Sequence, residues 1–427
     1  MDIKNIHKLF LQSNDIVIDT RKVKPKSFFV AIKGEKYDAN TFAKEALENG
    51  AIYAIIDNPD YYIDHRTIIV QNSLVALQEL AKYHRNYLKL TIIALTGSNG
   101  KTTTKELIQT VLSKKYKTKA TLGNLNNHIG VPLTILSFNS ETEIGIVEMG
   151  ANHQKEIQFL CEITNPDFGY ITNFGKAHLE GFGGVEGVIK GKSEMYDYIR
   201  LNDKKVFVNI DDKIQEEKTR DMNRITFSTE MDNANVFIKN ITANPLVNIH
   251  FNNSVIKSHL IGFYNANNIN ASITIGHYFG VSDEDIKSSI ESYIPDNNRS
   301  QLLSKNTNEI ILDAYNANPS SMLVALENFI QLEKNNKVII IGDMFELGDE
   351  SIEEHKSIVN YLNKEDKITC YFIGKDFYLN KNNRNNHFFY KDFESFVLFL
   401  NENHFSNKTI LIKGSRGMAL ERVLQYI

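Results

Sequence analysis

The run Thr96-Gly97-Ser98-Asn99-Gly100-Lys101-Thr102-Thr103-Thr104 gathers the residue types that hold a polyphosphate. Gly97 and Gly100 let backbone N–H groups approach an anion, and Lys101 can reach the outer phosphates. The Thr102 hydroxyl can ligate Mg²⁺. The common spacing G-x-x-x-x-G-K-[ST] would place a glycine at position 95, where Leu95 stands instead. Context argues for a tighter loop of the same kind. The apolar strand "TIIALT" precedes it and the helical pattern "KTTTKELIQTVLSKKY" follows, so the loop's N–H groups, from Gly97 through Thr103, lie at the positive end of a helix dipole. A glycine turn with no ligand is the plainer alternative.

Phosphate chemistry with a metal needs acidic or imidazole groups nearby, and parallel α/β sheets deliver them at the C-terminal ends of strands. Glu148 ends "EIGIVEMG", and His178 follows "DFGYITN" in the segment "NFGKAHLEGFGG". Their plainer readings are a helix N-cap for Glu148 and a loop histidine for His178. From spacing alone, Lys190 and Lys192 in "VEGVIKGKSEMYDYI" read as solvated helix lysines.

These residues need elements to position them. From Thr91, fully apolar strands alternate with helical crossovers, the pattern of a parallel sheet covered on both faces. Before it, "SFFVAI", "AIYAIID" and "RTIIV" alternate with "TFAKEALENG", and the helix "SLVALQELAKYHRNYLKL" leads onward. After "KVFVN" come "ANVFIKNIT" and "LVNIHF", with Asn252-Asn253 as a turn, and then two helices. Pro295-Asp296-Asn297-Asn298 marks a boundary, beyond which the α/β rhythm restarts at "EIILDA" and runs to "ALERVLQY". The expected fold is α/β in three domains. They are a small mixed α/β N-terminal domain (1–89), a central P-loop-type parallel-sheet domain (90–296) and a C-terminal Rossmann-like α/β domain (297–427).

Two or three domains also suit a length of 427 residues. A net charge of −4 gives no reason to expect nucleic acid or an anionic membrane as partner. The two cysteines, Cys161 and Cys370, far apart in sequence, argue against a disulfide framework and suit a reducing compartment. The N-terminal residues do not read as a signal peptide, and no apolar run has spanning length. A cytoplasmic monomer is expected.

The loop T-G-[ST]-N-G-K-[ST], matched in full by Thr96 to Thr102, resembles that of the Mur ligase family, ATP-dependent amide-forming enzymes of peptidoglycan precursor synthesis. The likeness runs nearly end to end, through "GNLNNHIGVPLTIL", "VEMGANHQKEI", "DAYNANPSSM", "GDMFELGDES" and "KGSRGMALE". Within the family these motifs resemble the members that join D-alanyl-D-alanine (D-Ala-D-Ala) to UDP-N-acetylmuramoyl-tripeptide. A third-residue-adding ligase, a folylpolyglutamate synthase and a nucleotide-binding switch are the rivals.

The resemblance implies ATP and two Mg²⁺ ions, with Thr102 on the first ion and Glu148 and His178 on the second. It implies a carbamylated Lys192, formed from CO₂, as the anchor of that second ion. Lys101, Lys192 and His178 would be the catalytic group. Asn265 and Asn268 would lie near adenine, Arg299 near the phosphates, and Asp313, Asn316 and Asn318 near the ribose. In the first domain Thr20, Arg21, Lys33 and Gly34 would meet the UDP-sugar, while Asn126 and Asn127 would line the muramoyl-peptide path. Asp343, Glu346, Lys413, Ser415 and Arg416 would hold the dipeptide or close the site. The chain departs from the family pattern at His128, where an acid is common, and at Asn298, where a glycine usually precedes the arginine.

Overall fold

A computed structural model describes residues 2–296 and 298–427; the expected boundary residue Asn297 lies outside the described residues. The chain opens with α1 (Ile3–Phe10), which the sequence reading did not single out, and β1 (Asp15–Val17). It continues through β2 (Ser27–Val30), α2 (Ala43–Glu48), β3 (Tyr53–Ile56) and β4 (Thr67–Ile69). These strands form a parallel sheet in the order β1-β2-β3-β4. The helix α3 (Ser73–Leu88) then carries the chain into the central region.

The central sheet begins at β5 (Thr91–Thr96), followed by α4 (Lys101–Leu112), β6 (Thr118–Ala120), α5 (Gly130–Leu136), β7 (Ile144–Glu148) and α6 (Glu156–Thr164). After β8 (Phe168–Ile171) come α7 (Leu179–Phe182), α8 (Val185–Leu201), β9 (Lys205–Asn209), α9 (Lys213–Lys218), β10 (Asn223–Ser228) and β11 (Val236–Phe237). The order is β11-β10-β9-β8-β5-β7-β6, and every pairing is parallel. Alternation along β5 explains its continuous apolar run. Ile92 and Ala94 face one core with Val131 and Leu160, while Ile93 and Leu95 face the other with Leu107 and Ile108. The strand β5 lies between β7 and β8, where the order of connection reverses, and a ligand crevice opens at such a point.

The antiparallel strands β12 (Asn240–Ala243), β13 (Leu246–Phe251) and β14 (Ser254–Ile261) follow, with the expected turn at Asn252-Asn253. The helices α10 (Tyr264–Tyr278) and α11 (Asp283–Ser292) complete this region. The last sheet takes β15 (Gln301–Lys305) and β16 (Asn308–Asp313), then α12 (Pro319–Gln331), β17 (Lys337–Gly342), α13 (Ser351–Leu362) and β18 (Thr369–Ile373). It is completed by α14 (Lys375–Leu379), β19 (His387–Tyr390), α15 (Phe393–Glu402) and β20 (Thr409–Lys413). Its order is β15-β16-β20-β17-β18-β19, parallel except for β15 against β16. The terminal "ALERVLQY" folds as a 3₁₀ turn over Leu420–Gln425 and not as a further α-helix. Among the described residues no helix is long and apolar enough to cross a membrane.

Candidate active site

The loop between β5 and α4 is held from both sides. Gly97 and Gly100 have φ of +143° and +78°, backbone that a side chain would strain. A Cβ on Gly97 would fall 2.0 Å from Thr172 Oγ1, and one on Gly100 2.5 Å from Asn268 Oδ1. The Asn99 N–H donates to Asn173 Oδ1 (3.1 Å), and its carbonyl accepts from the Thr172 hydroxyl (2.6 Å). The Ser98 hydroxyl donates to the Gly175 carbonyl at 2.7 Å. The Lys101 ammonium folds over the loop, donating to the carbonyls of Gly97 (2.7 Å) and Ser98 (3.2 Å). Burial pushes its pKa down, and neighbouring Glu148 opposes that shift.

Glu148 ends β7 beneath this loop and is buried. Its Oε2 accepts from the Thr102 hydroxyl (3.0 Å) and its Oε1 from the Asn126 amide (2.8 Å). Lys105, which the sequence reading did not single out, brings a buried ammonium to 3.9 Å from Oε2. On the opposite side, α10 presses its asparagines on the loop. Thr104 donates to Asn268 Oδ1 (3.0 Å), Asn268 to Asn265 Oδ1 (2.9 Å), and Asn265 to the Ile261 carbonyl (2.8 Å).

Lys192 corrects the reading from spacing. It is only 1% exposed, pointing inward from α8, while Lys190 is exposed as expected. Its Nζ donates to the Ala151 carbonyl (3.2 Å) and lies 5.1 Å from the Phe182 ring centroid. Burial first, and then the Lys101 charge, push its pKa well below that of an ordinary lysine. His178 stands in left-handed backbone at the start of α7, its Nδ1 hydrogen-bonded to the Glu346 carboxylate in the loop after β17 of the last sheet. That bond holds the Glu346 carboxyl below its usual range.

The third domain completes the cleft. The Arg299 guanidinium lies over the Tyr315 ring at 3.5 Å. The Tyr264 and Ser300 hydroxyls meet at 2.6 Å, and the Ser300 N–H donates to Asp313 Oδ1 at 3.1 Å. Asn318 caps α12 and donates from its amide to Asn99 Oδ1 at 2.7 Å, so one residue joins this domain to the phosphate loop. These groups surround a cleft of about 790 Å³ that contains the loop, Glu148, His178, Arg299, Asp313 and Asn316.

Several expected site residues have other tasks. The Lys413 ammonium is buried and bound to Asp313 Oδ2 at 2.6 Å. The Asp343 carboxylate accepts from the N–H groups of Asp376 and Phe377, both at 3.0 Å, and so holds the start of α14. Ser415 Oγ accepts from the Phe345 N–H (2.9 Å) and donates to the Ala317 carbonyl (3.2 Å), and Arg416 pairs with Glu421. Asn127 Oδ1 caps the start of α5 and also faces the cleft. Thr20, Arg21, Lys33 and Gly34 lie outside the cleft. Arg21 is paired with Asp19, and the Gly34 N–H donates to the Tyr37 carbonyl in a small loop closed by Lys33 and Asp38.

Residues 95–276 match the Mur ligase middle domain and 298–416 the Mur ligase glutamate ligase domain. The chain is 33% identical over 426 residues to the UDP-N-acetylmuramoyl-tripeptide–D-alanyl-D-alanine ligase of Bacillus subtilis, covering 96% of this chain and 92% of that one. The MurF crystal structure from Acinetobacter baumannii superposes with a TM-score of 0.86 at 30% identity, covering 99% and 97% of the two chains. MurF from Thermotoga maritima in complex with ADP gives 0.82 at 28% identity, covering 98% and 97%.

Proposed function

The chain belongs to the Mur ligase family, and from that premise we propose that it joins D-alanyl-D-alanine to UDP-N-acetylmuramoyl-tripeptide at the expense of ATP. The observation that carries the reading is the convergence of the phosphate loop, Glu148, His178 and Arg299 on one cleft between two α/β domains.

A peptide carboxylate has no useful leaving group. Transfer of the ATP γ-phosphoryl to it gives an acyl phosphate, which the dipeptide amine attacks through a tetrahedral intermediate with loss of phosphate. The difficulty is charge. Two unit charges 4 Å apart repel by about 4 kcal/mol at an effective dielectric of about 20, about three decades of rate. The loop N–H groups, Lys101 and Arg299 lower that repulsion by holding the triphosphate in a site prepared for negative charge. Asn265 and Asn268 fix the loop while lining the nucleotide side of the cleft, and Asp313 faces it from β16. Closure of the third domain keeps water from the acyl phosphate.

Thr102 Oγ1 and Glu148 are hard oxygen donors 3.0 Å apart, a set that suits Mg²⁺. A bound Mg²⁺ would supply charge neutralisation between nucleotide and carboxylate. A second ion would draw on Glu148 and His178, with Lys192 as the carbamate. Burial favours the neutral Lys192 amine, the form that adds CO₂. Lys192→Ala should be largely inactive and regain activity with small carboxylic acids; loss without rescue would remove the carbamate from this reading. The muramoyl-peptide would approach past Asn126 and Asn127, and the first domain would take the UDP end near Thr20, Arg21, Lys33 and Gly34. We place the enzyme in the cytoplasm.

The test is incubation with ATP, Mg²⁺, UDP-muramoyl-tripeptide and D-Ala-D-Ala, weighing the product. Phosphate should appear only when both acceptor and dipeptide are present. Release with neither would overturn the ligase reading.

A further inference from the structure

Lys105 is a buried cation that the reaction above does not use. It lies one turn along α4 from Lys101 and is 2% exposed. An ammonium removed from water needs charged or oxygen partners. Its Nζ donates to the Gly123 carbonyl at 3.4 Å, and lies 3.7 Å from Glu106 Oε1 and 3.9 Å from Glu148 Oε2. Glu106 is partly exposed and already accepts the Tyr293 hydroxyl at 2.7 Å. Glu148 is 1% exposed; its hydrogen-bond donors, Thr102 and Asn126, are uncharged, and its other cationic neighbour, Lys101, is bound to the Gly97 and Ser98 carbonyls. Among the described residues, Lys105 is the cation within ion-pair distance of Glu148.

We propose that Lys105 is a resident counter-ion, which balances Glu148 and keeps that carboxylate from recruiting a divalent cation until a nucleotide arrives. The inference rests on the reading of Glu148 as a cation ligand. A buried carboxylate held between a hydroxyl and an amide is already shaped to receive a cation. With Lys105 neutralised, only the more distant Lys101 would oppose the capture of Mg²⁺ from solution. The Lys105 ammonium opposes this, because a dication at Glu148 would meet a positive charge in a site with little solvent screening. The negative charge of a nucleotide on the adjoining loop reverses the balance, so that metal follows nucleotide. Lys105 is therefore a positioning residue. Through Gly123 it also ties the segment that carries Asn126 to the same charge.

The experiment is thermal unfolding of the full chain titrated with MgCl₂ in the absence of nucleotide. Lys105→Met should bring the midpoint of the Mg²⁺ response down about tenfold or more relative to the unsubstituted protein, whereas Lys105→Arg should leave it in place. Adding Glu148→Gln to Lys105→Met should abolish the response. A Lys105→Met protein no more sensitive to Mg²⁺ than the parent, or a response that survives Glu148→Gln, overturns the proposal. If Lys105→Met alone does not fold, Glu148→Gln should restore folding and Glu106→Gln should not; the reverse result overturns it. Mg²⁺-dependent ATP binding separates the two readings. If Glu148→Gln leaves that dependence intact, the ligand assignment has failed. If Glu148→Gln weakens it while Lys105→Met leaves the Mg²⁺ response unmoved, the counter-ion inference alone has failed.

Discussion

The two joints of the central domain are built from different materials. At the N-terminal joint, Arg85 of α3 is buried and donates to the Thr164 and Asn165 carbonyls, both at 3.0 Å, and to Asp167 at 2.8 Å. Beside it His7 Nε2 meets His84 Nδ1 at 2.9 Å, and His84 Nε2 meets the Phe138 carbonyl at 3.0 Å. Leu77, Leu80 and Ala81 share a core with Val131, Ile135 and Leu160. The joint to the third domain combines an apolar patch, where Ile261 shares a core with Ile311, Ala325 and Phe329, with a set of half-exposed polar contacts. The Lys176 N–H donates to Ser320 Oγ at 2.8 Å, the Lys176 ammonium pairs with Glu354, and the Phe263 N–H donates to Asn328 Oδ1 at 3.0 Å. Opening the first joint would strand a guanidinium and its carbonyls and wet an apolar core. Opening the second exchanges polar partners for water, at about 0.5–1.5 kcal/mol per hydrogen bond, and wets the patch around Ile261, with no buried ion pair to break among the described residues. Motion is therefore expected at the third domain, whose described joint lacks a buried ion pair.

Lys101→Ala isolates the chemistry from both joints. Turnover should fall by about a thousandfold or more with the melting temperature unchanged; a near-normal ligase rate would remove the loop from the mechanism. Arg85→Ala should destabilise the protein by about 2–3 kcal/mol, because the Thr164 and Asn165 carbonyls lose their buried donor while Asp167 keeps Lys204 as a charged partner, as read by chemical denaturation. If it costs no more than a surface change, the buried joint is not the stronger one. Lys176→Ala should cost about 1 kcal/mol of stability or less. It should nonetheless lower kcat/KM and raise the radius of gyration measured by X-ray scattering.

Acid should reverse the ranking of the two joints. Burial, and then His84, lower the His7 pKa from 6.5 to about 4. The folded state thus favours neutral His7, and the stabilisation present above pH 6.5 is lost as pH falls through about 4. The Glu346 carboxyl is held below its usual range by His178, so its contribution is present above the ordinary carboxylate pKa and is lost only in stronger acid. Melting temperatures between pH 7 and pH 4.5 should decline, and His7→Phe should flatten that slope. An unchanged slope would separate His7 from the acid response.

The parallel sheets and the tight glycine loop between β5 and α4 were legible because strand period, glycine placement and helix start coincide within a few residues of Thr96. Glu148 was legible as a strand-end residue and His178 as a residue of the loop after β8. Lys192 was not, since helical spacing near Gly187 and Gly191 does not say which face meets α7; those glycines admit Phe182, whose ring then covers the lysine. Lys105 looked like any lysine of an amphipathic helix, and only the strand order that places Glu148 beside α4 reveals its partner. Lys413 and Asp343 carried the family pattern, yet their partners come from β16 and α14, elements distant in the chain.

Asn318 both begins a helix of one lobe and grips the nucleotide loop of the other. A small molecule wedged against Asn99 in its place would jam the enzyme ajar without resembling any of its substrates. Because Asn99 and Asn318 both line the cleft, such a molecule would also crowd the nucleotide side of it.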